Sequence, residues 1–159
     1  MEGGHEGGEK TVEYNWSVRV HLTGEHRSVA YTGRNSFEVG KQASFSAGDA
    51  RPSAVEYLLG ALGGDLVEGF RSQAGRIGIP VEGAEAVVAG HLGNPLILLG
   101  VVGAEGSPGI ASIRATLYVT SDAEDEKLQQ AWRAVLATSP LVNTLNRAVE
   151  LSLQMQLTP

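Results

Sequence analysis

From Val55 to Phe70 the apolar residues Val55, Leu58, Leu59, Leu62, Leu66 and Phe70 return at three- and four-residue spacing, the period of a helix with one buried face. The pattern extends to about Ala74, and Gly75 predicts the end. At the other end Arg51-Pro52-Ser53 predicts the start, because proline is pre-organised for the first helical position. A helix this long constrains everything around it, since its apolar stripe has to be covered by other elements. Gly60, Gly63 and Gly64 fall inside the run, and each costs roughly 1 kcal/mol relative to alanine in a helix interior. That penalty implies close approach of another backbone, most simply a second helix; the alternative is a break in the helix at the glycines.

Around this helix the periodicity changes to two. Val12, Tyr14, Trp16, Val18 and Val20 alternate with polar residues, predicting a half-buried strand over Thr11 to Leu22. Thr23-Gly24-Glu25-His26 reads as a turn, Arg27 to Thr32 as a second strand, Gly33-Arg34-Asn35-Ser36 as another turn and Phe37 to Val39 as a third strand. The result is an antiparallel meander followed by a loop over Ser44 to Ala50.

Beyond the helix, Ile79 to Leu92 reads as a strand with Ala86, Val88 and Gly90 on its core side. Leu96 to Val102 fits either a short helix or a buried connection. Ser107-Pro108-Gly109 is a turn, and Ile110 to Thr120 a strand with Ile113, Ala115, Leu117 and Val119 on one face. Ser121-Asp122-Ala123-Glu124 matches a capping box for a second helix, whose apolar face is Leu128, Trp132, Val135 and Leu136. Ser139-Pro140 starts a short third helix, and Glu150 to Leu157 closes the chain as a strand. These elements sum to an α+β fold.

At 159 residues, with 42% hydrophobic and 19% charged residues, the chain reads as one domain over 11–159 behind a disordered tail over 1–10. The tail has neither a basic n-region nor an apolar h-region, so it does not read as a signal peptide. The longest apolar stretch, Leu96 to Ala104, is far short of the roughly 20 residues a spanning helix needs, and a cytoplasmic location is expected. A net charge of −6 without a basic run makes nucleic acid and anionic membranes poor partners. The absence of cysteine excludes disulfides, Cys-ligated zinc, iron–sulfur clusters and thiolate chemistry from the chain's own side chains. No dinucleotide, Walker, zincin or serine-hydrolase motif is present, so no cofactor and no metal are expected.

Five residues stand out as chemistry-bearing. Asp65 lies three residues past Leu62, at the edge of the apolar stripe, where a carboxylate must be paired, protonated, directed into a cavity or else solvated beside a narrow stripe. Ser139 precedes Pro140 and suits a helix N-cap; as a nucleophile it would need a base, and none of His5, His21, His26 or His91 sits in a triad or metal-binding spacing. Glu56 in the first helical turn favours the positive end of the helix dipole. Arg27 and Arg34, at strand ends, are either solvated or able to clamp a carboxylate or oxyanion bidentately.

The segment Pro52-Ser53-Ala54-Val55-Glu56-Tyr57-Leu58-Leu59-Gly60-Ala61-Leu62-Gly63-Gly64-Asp65 resembles the central-helix signature of the OsmC/Ohr superfamily, the osmotically induced and organic hydroperoxide resistance proteins. In that signature a proline, a glutamate, a leucine-rich run and a small-residue pair lead into a cysteine, and Asp65 holds the cysteine position. Ser139-Pro140-Leu141-Val142-Asn143-Thr144-Leu145 resembles the second signature, a cysteine followed by Pro, two residues, Asn, Thr and Leu, and Ser139 holds that cysteine position.

The resemblance implies an OsmC-like fold of antiparallel sheets with a long central helix, an intertwined homodimer whose central helices pack together, and a place in stress response. Members reduce organic hydroperoxides: one thiolate attacks the peroxide, an arginine and a glutamate orient it, and a second cysteine resolves the sulfenic acid to a disulfide. Glu56 matches that glutamate, and Arg27 is the looser match to the arginine. With both sulfurs replaced, the expectation is a divergent, peroxidase-inactive homodimer that binds a small apolar or anionic molecule at its dimer interface. Two alternatives stand beside it: an enzyme using Asp65 or Glu56 as acid/base with Arg27 stabilising negative charge, and a structural or interaction protein. Asp65 and Ser139 are expected to face one another, with Ser139 or the following helix start donating to the carboxylate.

Overall fold

The structure, a computed structural model, describes residues 14–24, 27–41 and 51–159. The tail expected over 1–10, the start of the first strand, His26 and the loop over 44–50 lie outside the described residues. The chain divides into two compact units, Met1–Val39 and Gly40–Pro159.

In the first unit β1 (Arg19–Leu22), β2 (Ser28–Thr32) and β3 (Asn35–Val39) form the expected antiparallel meander, in the order β1-β2-β3. The first strand is shorter than the alternation predicts, and its apolar face is not half-buried: Tyr14, Trp16 and Leu22 are 74%, 86% and 78% exposed. The physical reason is that the first unit is a single three-stranded sheet, with no second layer of its own among the described residues to cover that face. Tyr14 and Trp16 stack on each other instead, with ring centroids 6.3 Å apart.

The second unit is built on α1 (Ala54–Arg76). Ser53, not a residue further on, is its N-cap, so Pro52 precedes the cap rather than occupying the first helical position. Ser53 Oγ accepts from Glu56 N while Glu56 accepts from Ser53 N, a reciprocal capping box that satisfies two orphan donors. The helix runs through Gly75 and stops at Gly78, whose φ of 71° reverses the chain. Ile79 N donates to Ala74 O and Gly78 N to Gly75 O, closing a Schellman motif around the residue that best tolerates a left-handed conformation.

The remaining elements are β4 (Gly83–Leu92), α2 (Pro95–Leu98), β5 (Ile110–Thr120), α3 (Asp125–Thr138), α4 (Pro140–Leu145) and β6 (Glu150–Thr158). The undecided 96–102 segment therefore opens as a short helix. The capping box expected at Ser121 does not form: Ser121 Oγ donates to Pro80 O at 2.6 Å and accepts from Ala123 N, which leaves Glu124 as the N-cap of α3.

The sheet order is β4-β5-β6, with β4 antiparallel to β5 and β6 parallel to it. Two helices intervene between β5 and β6, which gives the chain room to return to the same end and makes the parallel pairing possible. The inward face of β5, Ile113, Ala115, Leu117 and Val119, packs with Leu62, Leu66 and Phe70 of α1 and with Leu128, Trp132 and Val135 of α3 in one core.

Within this core the helix glycines behave differently from the expectation of a second helix. A Cβ on Gly63 would lie 3.3 Å from Val88 Cγ2, so this glycine admits β4, while around Gly60 and Gly64 nothing lies within 4 Å. The close helix contact is at Gly69, where a Cβ would meet Val135 of α3 at 3.3 Å. Among the described residues no helix is long and apolar enough to cross a membrane.

Candidate functional site

Ser139 occupies a junction that its neighbour creates. The ring of Pro140 disfavours helical backbone at the preceding residue, and Ser139 is extended, with φ −65° and ψ 121°. It therefore ends α3, its N–H donating to Val135 O, and starts α4, its Oγ accepting from Val142 N at 2.9 Å. Asn143 braces the same corner, its Nδ2 donating to Ser139 O at 2.7 Å and to Leu136 O at 3.1 Å. Asn143 had no role assigned from its position alone; the signal that could have found it is its place in the Pro-Leu-Val-Asn-Thr-Leu run.

The Ser139 hydroxyl, while accepting from Val142 N, donates its own proton to Asp65 Oδ2. Ser139 is 6% exposed, and Asp65 is half-buried between the fully buried Leu62 and Leu66. The two residues expected to face one another thus form a hydrogen-bonded carboxylate–hydroxyl pair. It satisfies a polar group placed beside the core, and among the described residues no buried side-chain nitrogen or oxygen lacks a partner. Among the described residues neither member has a histidine or lysine as a hydrogen-bond partner that would raise the nucleophilicity of the hydroxyl.

Glu56 is not part of this pair. Nine residues separate it from Asp65 along α1, which at 1.5 Å and 100° per residue is about 13 Å along the axis and the opposite side of the helix. Its Oε2 accepts from Ser53 N at 2.7 Å and Ser53 Oγ at 2.8 Å, and these bonds hold its pKa below the usual carboxylate range. A carboxylate stabilised in its charged form by a cap is a poor proton acceptor.

Arg27 belongs to the first unit, where its Nε donates to Thr23 Oγ1 at 3.2 Å and its Nη1 to Glu38 Oε1 at 3.3 Å. Arg34 is exposed there. His21 packs edge-on against Tyr31, and among the described residues no group of three or more metal-ligating side chains occurs.

Two concavities adjoin these positions. A groove of about 560 Å³ between α1 and β4 is lined by Glu56, Leu59, Gly60, Gly64, Ala86 and Val88 among others, on the side of α1 away from Asp65. A hollow of about 350 Å³ lies between α4 and β6, lined by Leu136, Val142, Asn143, Asn146, Leu151 and Leu153; Val142 and Asn143 both bond Ser139.

The family model for OsmC-like protein matches residues 47–154, which takes in α1, the whole β4-β5 hairpin and both residues of the pair. The chain belongs to the OsmC-like protein family. Among solved structures, the OsmC-like protein from Mycoplasma pneumoniae superposes with a TM-score of 0.74 at 16% identity, over 92% of this chain and 98% of that one. The organic hydroperoxide resistance protein OsmC from Legionella pneumophila gives a TM-score of 0.65 at 10% identity, over 92% and 99%. An organic hydroperoxide resistance protein from Elizabethkingia anophelis gives 0.69 at 14%, over 94% and 99%. No curated protein sequence matches the chain. At such identities the likeness is one of fold, and this OsmC-like chain has no cysteine.

Proposed function

We propose that this OsmC-like protein has lost dithiol hydroperoxide reduction and works as a small-molecule-binding homodimer. The observation that carries the proposal is the hydrogen bond from Ser139 to Asp65, the two residues at the positions where the family resemblance calls for its sulfurs. Peroxide reduction by the resembled mechanism needs a thiolate that becomes a sulfenic acid and a second thiol that resolves it. A carboxylate and a hydroxyl supply neither the oxidisable sulfur that becomes the sulfenic acid nor the thiol that resolves it. The acid/base alternative gains nothing from the geometry, because Glu56 is held by the capping box on the far side of α1 and Asp65 already accepts from Ser139.

A second copy of the chain is supported by apolar surface left uncovered in both units, Tyr14, Trp16 and Leu22 in one and the Gly60/Gly64 side of α1 in the other. The apolar floor of the α1–β4 groove is the proposed ligand site at that interface. The family resemblance is the ground for a role in stress response in the cytoplasm, and the net charge of −6 is the ground for a protein without nucleic-acid or anionic-membrane partners.

Purified protein incubated with cumene hydroperoxide and a dithiol is expected to consume no peroxide above the buffer blank; turnover would overturn the loss of reductase chemistry. Gly64→Leu, which fills space that is open in the single chain, is expected to convert a dimer into a monomer in sedimentation velocity while leaving helical circular dichroism intact. A wild-type protein that sediments as a monomer would sink the dimer.

A further inference from the structure

The outward face of the second unit's sheet carries a cluster that neither the pair nor the groove uses. Pairing places His91, Ser112 and Glu150 side by side across β4, β5 and β6, and Ala89, Arg114 and Ser152 in the next row on the same face. Small residues at Ala89, Ser112 and Ser152 leave a hollow of about 320 Å³, bounded by the longer side chains of His91 on β4, Arg114 on the central strand and Glu150 on β6. The β4 register slips between His91 and Leu92, the kind of irregularity that re-aims a side chain at a sheet's end.

Among the described residues neither Arg114 nor Glu150 makes a hydrogen bond or ion pair with another side chain. From strand spacing and rise their Cα atoms are about 8 Å apart on the diagonal, close enough for one small molecule to touch both.

We infer that this hollow binds a small zwitterionic amino acid, with Arg114 taking the carboxylate and Glu150 the ammonium group. The planar guanidinium donates bidentately to a carboxylate, and a carboxylate accepts from an ammonium, so the two side chains demand opposite charges at the two ends of one ligand. A simple anion would meet repulsion from Glu150 and a simple amine repulsion from Arg114. The hydroxyls of Ser112 and Ser152, which flank the Arg114/Glu150 diagonal, supply neutral hydrogen-bond partners between the two charges, and His91 lines the far side of the hollow. The diagonal separation favours an amino acid whose charged ends are several bonds apart, and γ-aminobutyrate is the probe with that spacing.

The site is independent of the Asp65–Ser139 pair and of peroxide chemistry. Titration of the full ¹⁵N-labelled chain with γ-aminobutyrate is expected to move the amide resonances of Ser112, Arg114, Glu150 and Ser152 in a saturable way. Arg114→Gln and Glu150→Gln, both exposed positions, are each expected to weaken the affinity about tenfold, and acetate and methylammonium to bind at least tenfold more weakly than the zwitterion. No saturable shift with γ-aminobutyrate, an affinity unchanged by either substitution, or equal binding of acetate would each overturn the assignment.

Discussion

Ser139 donates its hydroxyl proton to Asp65 across 74 residues of sequence, joining the start of α4 to the middle of α1. The same oxygen accepts from Val142 N, so a single side chain closes a helix cap and partners a carboxylate. Hydrogen bonds to charged groups contribute about 1.5–3 kcal/mol, which makes the pair a sizeable part of a typical domain's stability.

A double-mutant cycle of Asp65→Ala and Ser139→Ala, followed by urea unfolding, is expected to give a coupling energy of about 1.5–3 kcal/mol. Ser139→Ala alone is expected to lose more than the coupling, because the α4 cap goes with it, worth about 1 kcal/mol. A coupling near zero would show that the two groups prefer water to one another.

Replacing both members by cysteine converts the same proximity into a covalent test. Asp65→Cys with Ser139→Cys is expected to form an intramolecular disulfide in an oxidised glutathione buffer, read as disappearance of both titratable thiols, and to gain about 2–4 kcal/mol from the long loop it closes. Thiols that stay free under oxidant would mean that α1 and α4 do not hold these positions together.

Glu56 links the α1 cap to pH. Its pKa is lowered by the bonds from Ser53, so the folded chain binds its proton less readily than the unfolded one. The contribution is therefore fully present above the unfolded-state carboxylate pKa and is lost as pH falls through the lower folded value. Wild type is expected to unfold at a higher temperature than Glu56→Gln at neutral pH, with the difference shrinking at acid pH; a difference that grows on acidification would reverse the assignment.

Gly93 closes the loop between β4 and β5. Its N–H donates to Gly109 O at 2.9 Å, Asn94 N donates to Ser107 O at 2.7 Å, and a Cβ on Gly93 would lie 2.8 Å from that same Ser107 oxygen. Backbone cannot yield as a side-chain tip can, so Gly93→Ala is expected to destabilise by about 1–3 kcal/mol and to open residues 95–106 to limited proteolysis. Gly60→Ala, in open space, is expected to cost nothing in a monomer and to add helix propensity.

Much of the local structure was legible because it is written in neighbouring residues. Ile110–Thr120 forms over the span its alternation predicts, and Pro140 with Ser139 announces the corner between α3 and α4. Signals that several residues can satisfy were less decisive. Gly75 and Gly78 both offer a helix stop, and the reversal goes to the one whose following Ile79 can be buried, at 6% exposure. Ser121 and Glu124 have capping-box spacing, but the Ser121 hydroxyl finds Pro80 O, a partner 41 residues away that no local pattern reveals. The period-two pattern of Glu150–Thr158 reads the same in either direction, so its parallel pairing with β5 was invisible in it.

By itself the sequence determined the type and order of most helices and strands, that no thiol is present, and that Asp65 and Ser139 stand at two motif positions where the resemblance expects cysteine. Only the tertiary structure decided that these two meet, whereas the nine-residue spacing of Glu56 from Asp65 already puts it on the other side of α1. Periodicity and capping act over a few residues and can be read from order alone. Which faces meet depends on how α1, α4 and the sheet pack together, a property of the whole assembled core.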